Sequence, residues 1–169
     1  MTPLNVPTHT AYLLLGGNLG DRAALLAEAR EAIAARAGVI ERASGLYETA
    51  AWGIEAQPAF LNQALSVATT LTPRVLLETV LAIEADMGRR RLERYGPRLI
   101  DIDILLYEDV VLDEPGLQLP HPQLPQRRFA LTCLSEIAPG LQHPRLGRSI
   151  AQLLAACTDP LPVYNFPAG

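Results

Sequence analysis

From Ile100 to Tyr107 the chain alternates, with Ile100, Ile102, Ile104 and Leu106 at one parity and Asp101, Asp103, Leu105 and Tyr107 at the other. Successive side chains of a strand point to opposite faces, so this pattern predicts a half-buried strand whose second face carries two carboxylates. Such a strand needs neighbours in a sheet and a layer of helix or sheet over its apolar face. That need restricts what the rest of the chain can form.

The preceding segments supply those partners. Ala11 to Leu15 is a short apolar run that ends in the turn signal Gly16-Gly17-Asn18-Leu19-Gly20-Asp21, with Asp21 placed to cap a helix. Leu25, Leu26, Ala29 and Ile33 then recur at helical spacing up to the stop Gly38. Val39 to Tyr47 and Phe60 to Ala68 read as strands separated by a loop over 48–59, with Leu61, Leu65 and Val67 on one side of the second. Thr72 as cap and Pro73 at the first helical position open a helix through Leu76, Val80, Ile83 and Met87 to Gly88.

The order strand, helix, strand, strand, helix, strand predicts an α+β domain with a ferredoxin-like βαββαβ core, an antiparallel sheet with its two helices packed on one face. An edge hairpin over 110–119 and helices over 129–137 and 150–157 are expected as C-terminal additions. The 169 residues fit a single domain, with a core of about 11–157 and a tail over 158–169. Neither a membrane-spanning apolar stretch nor a secretory leader is visible, so a cytoplasmic protein is expected. Cys133 and Cys157 lack metal-site spacing and are read as free thiols.

A net charge of -4 argues against nucleic acid or an anionic membrane as partner. All 14 basic residues are arginine, which excludes lysine chemistry. Five of them, Arg89, Arg90, Arg91, Arg94 and Arg98, lie in one short segment opposed only by Glu93. An acidic chain therefore carries one basic loop, immediately before the aspartate strand.

An isolated D-x-D on a strand reads as solvated polar surface. The arginine loop changes that reading, because guanidinium forks match phosphate oxygens bidentately and paired carboxylates suit magnesium carried with a polyphosphate. Two residues apart on a strand, the Cα atoms of Asp101 and Asp103 lie roughly 6.6 Å apart, which suits a two-metal site. Pro120-His121-Pro122 and Gln126-Arg127-Arg128-Phe129 form a second, weaker cluster, and His9 and His143 carry no motif.

Arg94-Tyr95-Gly96-Pro97-Arg98 followed by Asp101-Ile102-Asp103 resembles the R-W-G-P-R-x-x-D-x-D signature of the 6-hydroxymethyl-7,8-dihydropterin pyrophosphokinases. The likeness extends from Gly16-Gly17-Asn18-Leu19-Gly20-Asp21 through Gln57-Pro58-Ala59-Phe60-Leu61-Asn62 to Pro120-His121 and Arg127-Arg128-Phe129. It implies transfer of the β,γ-diphosphate of ATP, with two magnesium ions, to a pterin hydroxymethyl group. Asp101 and Asp103 would hold the metal and act in catalysis with Arg89 and Arg98. Glu84, Arg89, Arg91, Arg98, His121 and Arg127 would face the nucleotide, and Thr49, Trp52, Phe60, Asn62 and Phe129 the pterin. The physics of a flat heteroaromatic agrees, since it gains stacking energy from aromatic rings and needs buried partners for its polar edge.

Tyr95 replaces the usual tryptophan and Gly17 the usual serine, and Trp52 occupies a loop position often held by a smaller residue. The expected partners are ATP and the pterin alone, with a monomeric chain. Two rivals stay open at this point: a non-catalytic RNA-binding or regulatory module of the same element order, and another magnesium-dependent enzyme such as a nucleotidyl cyclase. Acidity opposes the RNA version, and a cyclase gives no reason for Phe60, Asn62 and Phe129.

Overall fold

The computed structural model describes residues 6–50, 58–88 and 99–167. The chain begins with β1 (His9–Gly17), whose last two residues are the glycines expected in the turn. The turn itself is confined to 18–21, and Asp21 accepts from Ala24 N–H to cap α1 (Arg22–Arg36). Leu26, Ala29 and Ile33 of α1 are buried, as their spacing predicts. Gly38 follows for a reason that helix-stop logic does not supply: a Cβ there would lie 2.1 Å from the Ala68 carbonyl oxygen.

The next expected strand is two, β2 (Val39–Ala43) and β3 (Leu46–Thr49), both paired antiparallel with β4 (Phe60–Thr69). Ser44 spans the break, its N–H donating to the Ala64 carbonyl while its hydroxyl accepts from Ala64 N–H, both at 2.9 Å. Then α2 (Pro73–Asp86) starts on its Thr72 cap and ends before Gly88, whose φ of +85° suits glycine. Its Leu76, Val80 and Ile83 are fully buried, each contributing about 1.5–3 kcal/mol of apolar burial.

The aspartate strand is β5 (Asp101–Tyr107). The main sheet runs β5-β1-β4 and then β2 and β3, the antiparallel arrangement expected of a ferredoxin-like core. A small hairpin, β6 (Leu112–Glu114) with β7 (Leu117–Leu119), forms its own two-stranded sheet instead of extending the main one. It is followed by a short 3₁₀ turn at Leu124–Gln126, α3 (Arg128–Ile137) and α4 (Ile150–Ala156), the last held by a reciprocal Ser149–Gln152 capping box.

Beyond α4, β8 (Val163–Phe166) pairs antiparallel with β3 and becomes the far edge of the sheet, where a tail was expected. Two apolar cores sandwich the sheet. One packs Leu13, Leu15, Leu61, Leu65, Ile102 and Ile104 against α1 and α2. The other packs Leu14, Ala64, Leu105 and Leu106 against α3 and α4, so the C-terminal helices cover the opposite face.

Strict alternation fails at one point of β5. Tyr12 pairs with Leu106 and Leu13 with Ile104, leaving Leu105 as the extra residue of a bulge. Leu106 therefore joins Leu105 in the α3/α4 core, and Tyr107 turns to the α1/α2 core, where its hydroxyl donates to the Leu71 carbonyl at 2.6 Å. Both placements reverse the parity reading. The bulge lies C-terminal to Asp101 and Asp103, whose shared face it leaves intact.

Candidate active site

Register places the site. Asp101 lies opposite Gly16, Gly16 opposite Asn62, and Asn62 opposite Tyr47, forming one row across four strands on the α3/α4 side of the sheet. Asp103 lies opposite Leu14 in the next row. Gly16 has no side chain, so a hollow opens between Asp101 and Asn62. A Cβ on Gly16 would approach Asn62 Oδ1 to 3.2 Å.

This hollow belongs to a cleft of about 810 Å³ that wraps the outer edge of β5. On the sheet face it is lined by Asp101, Asp103, Thr49, Phe60 and Asn62, with Phe129 and Arg127 from the start of α3. Around the edge it is lined by Leu77, Leu81 and Glu84 of α2, and by Gln118, His121 and Gln123. The structure thus brings Glu84, Asp101, Asp103, His121 and Arg127 into one cavity with Thr49, Phe60, Asn62 and Phe129. The remaining expected site residues, Trp52, Arg89, Arg91 and Arg98, lie outside the described residues, as does the basic loop that contains the last three.

Asn62 is 2% exposed, and its Nδ2 donates to the Tyr47 carbonyl at 3.1 Å, which orients the amide along the row. Thr49 is also buried, its hydroxyl donating to the Pro162 carbonyl at 3.3 Å. Phe60 pairs with Thr49 across β3 and β4, so these two and Asn62 share the cleft face. The Arg127 guanidinium lies 5.8 Å from the centre of the Phe129 ring.

Glu84 is buried on α2, and its Oε2 accepts the Ile102 N–H at 2.7 Å. That bond satisfies an edge amide of β5 at the residue between the two aspartates, so Glu84 docks α2 to the aspartate strand as well as lining the cleft. His121 is fixed to the same strand from the other direction, its N–H donating to the Leu105 carbonyl at 2.8 Å. Its Nδ1 accepts from Gln123 N–H at 3.2 Å, which assigns the ring proton to Nε2 in the neutral form. Burial pushes the His121 imidazole below its usual range, Asp103 pulls it partly back up, and Arg127 adds to the lowering.

Sequence reasoning missed the second stripe of α2. Leu76, Val80 and Ile83 face the core, whereas Leu77, Leu81 and Glu84 line the cleft one position on. Leu81 is 42% exposed, so an apolar stripe beside the core stripe was the signal available. Gln118 and Gln123 lie beside recognised motifs and had no sequence mark of their own.

The sequence model of the 7,8-dihydro-6-hydroxymethylpterin-pyrophosphokinase (HPPK) family matches residues 12–139, from β1 to the end of α3. The chain belongs to this family. Relatives named 2-amino-4-hydroxy-6-hydroxymethyldihydropteridine pyrophosphokinase agree. One from Methylorubrum extorquens is 49% identical over 132 residues, 78% of this chain and 84% of its own. Another from Synechocystis is 40% identical over 168 residues, 96% of this chain and 86% of its own. Among solved structures, a Plasmodium falciparum HPPK-DHPS triple mutant superposes with a TM-score of 0.72 at 19% identity, over 91% of this chain and 45% of that one. That likeness carries the HPPK fold, and this chain spans less than half of that longer one. The family match stops short of α4 and β8, and the Synechocystis alignment, at 96% of this chain, extends over α4.

Proposed function

We propose that this chain transfers diphosphate from ATP to the hydroxymethyl group of 6-hydroxymethyl-7,8-dihydropterin, releasing AMP, as a step of folate biosynthesis. The HPPK family match and the relatives that carry the pyrophosphokinase name support this activity. The observation that carries the site reading is the row Asp101–Gly16–Asn62, which joins the acidic pair to a polar and aromatic pocket within one cleft.

Asp101 and Asp103 suit magnesium. They offer hard oxygen donors from one strand face, half-exposed, beside a cavity with room for a polyphosphate. Among the described residues no cluster of three or more His, Cys, Asp or Glu side chains could hold an ion, so phosphate oxygens and water would complete the shell. When bound, magnesium would neutralise charge on the transferring phosphates.

The chain's own groups then have distinct tasks. Phe60 and Phe129 offer ring faces to the pterin, and Asn62 and Thr49 offer buried polar groups to its edge, with Trp52 from the adjoining loop. Leu77 and Leu81 give an apolar wall on the far side of β5, beside Glu84, where the nucleotide would lie. His121, neutral at Nδ1 and carrying its proton on Nε2, donates to phosphate along with Arg127. Arg89, Arg91 and Arg98 would bring guanidinium forks from the basic loop. Catalysis on this reading is positioning and charge neutralisation, with the alcohol held in line with the β-phosphorus.

The reading covers one domain, acting as a monomer on small molecules in the cytoplasm; no helix among the described residues is long and apolar enough to cross a membrane. Incubation with ATP, magnesium and hydroxymethyl-dihydropterin, with separation of the nucleotides, tests it. AMP formed only when the pterin is present supports it. ADP, cyclic AMP or no product overturns it.

A further inference from the structure

We propose that Arg22 is a positioning residue for the pterin side of the cleft, acting from behind the sheet, an inference that rests on the pyrophosphokinase reading. Arg22 is the first residue of α1, on the face opposite the cleft. Its Nη1 donates to the Ala59 carbonyl at 2.9 Å and pairs with Glu48 Oε2 at 2.6 Å. Ala59 immediately precedes Phe60, and Glu48 immediately precedes Thr49.

Phe60 and Thr49 are a cross-strand pair on the cleft face. Neighbouring side chains of a strand point to opposite faces, so Arg22 grips the Glu48 carboxylate behind Thr49, and it holds the backbone carbonyl just before Phe60. A single guanidinium thereby ties the end of β3 to the start of β4 at the mouth of the pocket. Both acceptors are held by one terminal nitrogen, whose two N–H groups point to different partners.

Two further contacts fix the clamp. The guanidinium lies 5.3 Å from the centre of the Phe166 ring in β8, which packs from the same side as Leu46. Asn18, 1% exposed in the turn before α1, donates through Nδ2 to the Pro58 carbonyl at 3.1 Å, one residue upstream of Ala59. The glycine-rich turn and the start of α1 thus hold the backbone from Pro58 to Phe60. Arg22 is about one-fifth exposed in its side chain, so its pair with Glu48 is shielded better than a surface ion pair.

Among the described residues, the contacts of Arg22 lie on the pterin side, away from Glu84, His121 and Arg127. The consequence is selective. Arg22→Met keeps the stem and removes the fork, and should raise the pterin KM about tenfold while the ATP KM stays within about twofold. Arg22→Lys, which retains a charged nitrogen with several N–H donors on a shorter reach, should recover part of that loss.

Steady-state kinetics with each substrate varied in turn, alongside thermal unfolding of each variant, decides it. If the wild-type chain makes no pterin-dependent AMP, the pyrophosphokinase reading fails and with it the basis of the proposal. If the wild type turns over and Arg22→Met shifts both KM values equally, or only lowers Tm, the positioning role alone is overturned. Should Arg22→Met fail to fold, Glu48→Gln and Arg22→Lys carry the test, a pterin-selective rise in KM supporting the proposal and unchanged pterin KM in both refuting it.

Discussion

Asp101 and Asp103 are set apart from the chain's other carboxylates by where β5 holds them: on one face, facing a hollow that Gly16 leaves open. Replacing either with asparagine preserves shape and removes charge from a half-exposed position. The expected result is a loss of about 10²-fold or more in AMP formation at saturating magnesium, with little change in Tm. An activity assay paired with thermal unfolding checks it, and turnover near the wild-type value would remove both residues from the metal site. His143 gives a prediction of another kind. Its Nδ1 accepts from the Arg145 and Leu146 amides, and burial, aided by Arg145, holds the imidazole below its ordinary value of 6.5. In the window below 6.5 the unfolded chain binds the proton more readily than the native one, so this stabilisation is intact above 6.5 and is lost as pH falls through the native value. Urea unfolding at about pH 7.5 and 5.5 should show a larger acid-side loss for the wild type than for His143→Gln.

Among elements, those with a strong period were readable and those shaped by neighbours were not. The helices α1 and α2, their caps and the strand face carrying the two aspartates follow from spacing and from Asp21, Thr72 and Pro73. The bulge at Leu105 does not, because it arises from the pairing of β5 with Tyr12 and Leu13, and an apolar residue satisfies either face at positions 105 and 106. The same holds for the site: Asp101, Asp103 and Asn62 carry polar chemistry that their strand parity exposes, whereas Leu77 and Leu81 look like more core until the helix is docked. Gly38 is a further case of a residue explained only by packing. A Cβ at 2.1 Å from the Ala68 oxygen, with Thr69 Cα 3.1 Å away, meets backbone that cannot swing aside. Gly38→Ala should therefore cost about 3 kcal/mol, more than helix-stop chemistry alone would predict, read as a lower urea midpoint at unchanged slope.

For the whole molecule, the sheet depends on a strand that composition did not announce. Val163–Phe166 has few residues and a proline-flanked sequence, and its strand character comes from the open edge of β3 that receives it. Removing residues 162–169 would take away that pairing, the Pro162 carbonyl that accepts from Thr49, and the Phe166 ring beside Arg22. The segment just before would stay anchored, because Asp159 accepts from the Arg128 and Leu161 amides and the Arg128 guanidinium holds the Cys157 and Asp159 carbonyls. Truncation after Leu161 should thus leave α4 and its core in place while costing about 2 kcal/mol, a fall in Tm of roughly 4–8 °C. Its effect on activity should follow geometry: Thr49 and Arg22 touch the lost segment, whereas Glu84 and His121 do not. The pterin KM should then rise more than the ATP KM. Equal changes in the two would mean that β8 stabilises the domain without shaping one side of its cleft, and calorimetry with two-substrate kinetics on the shortened chain distinguishes these outcomes.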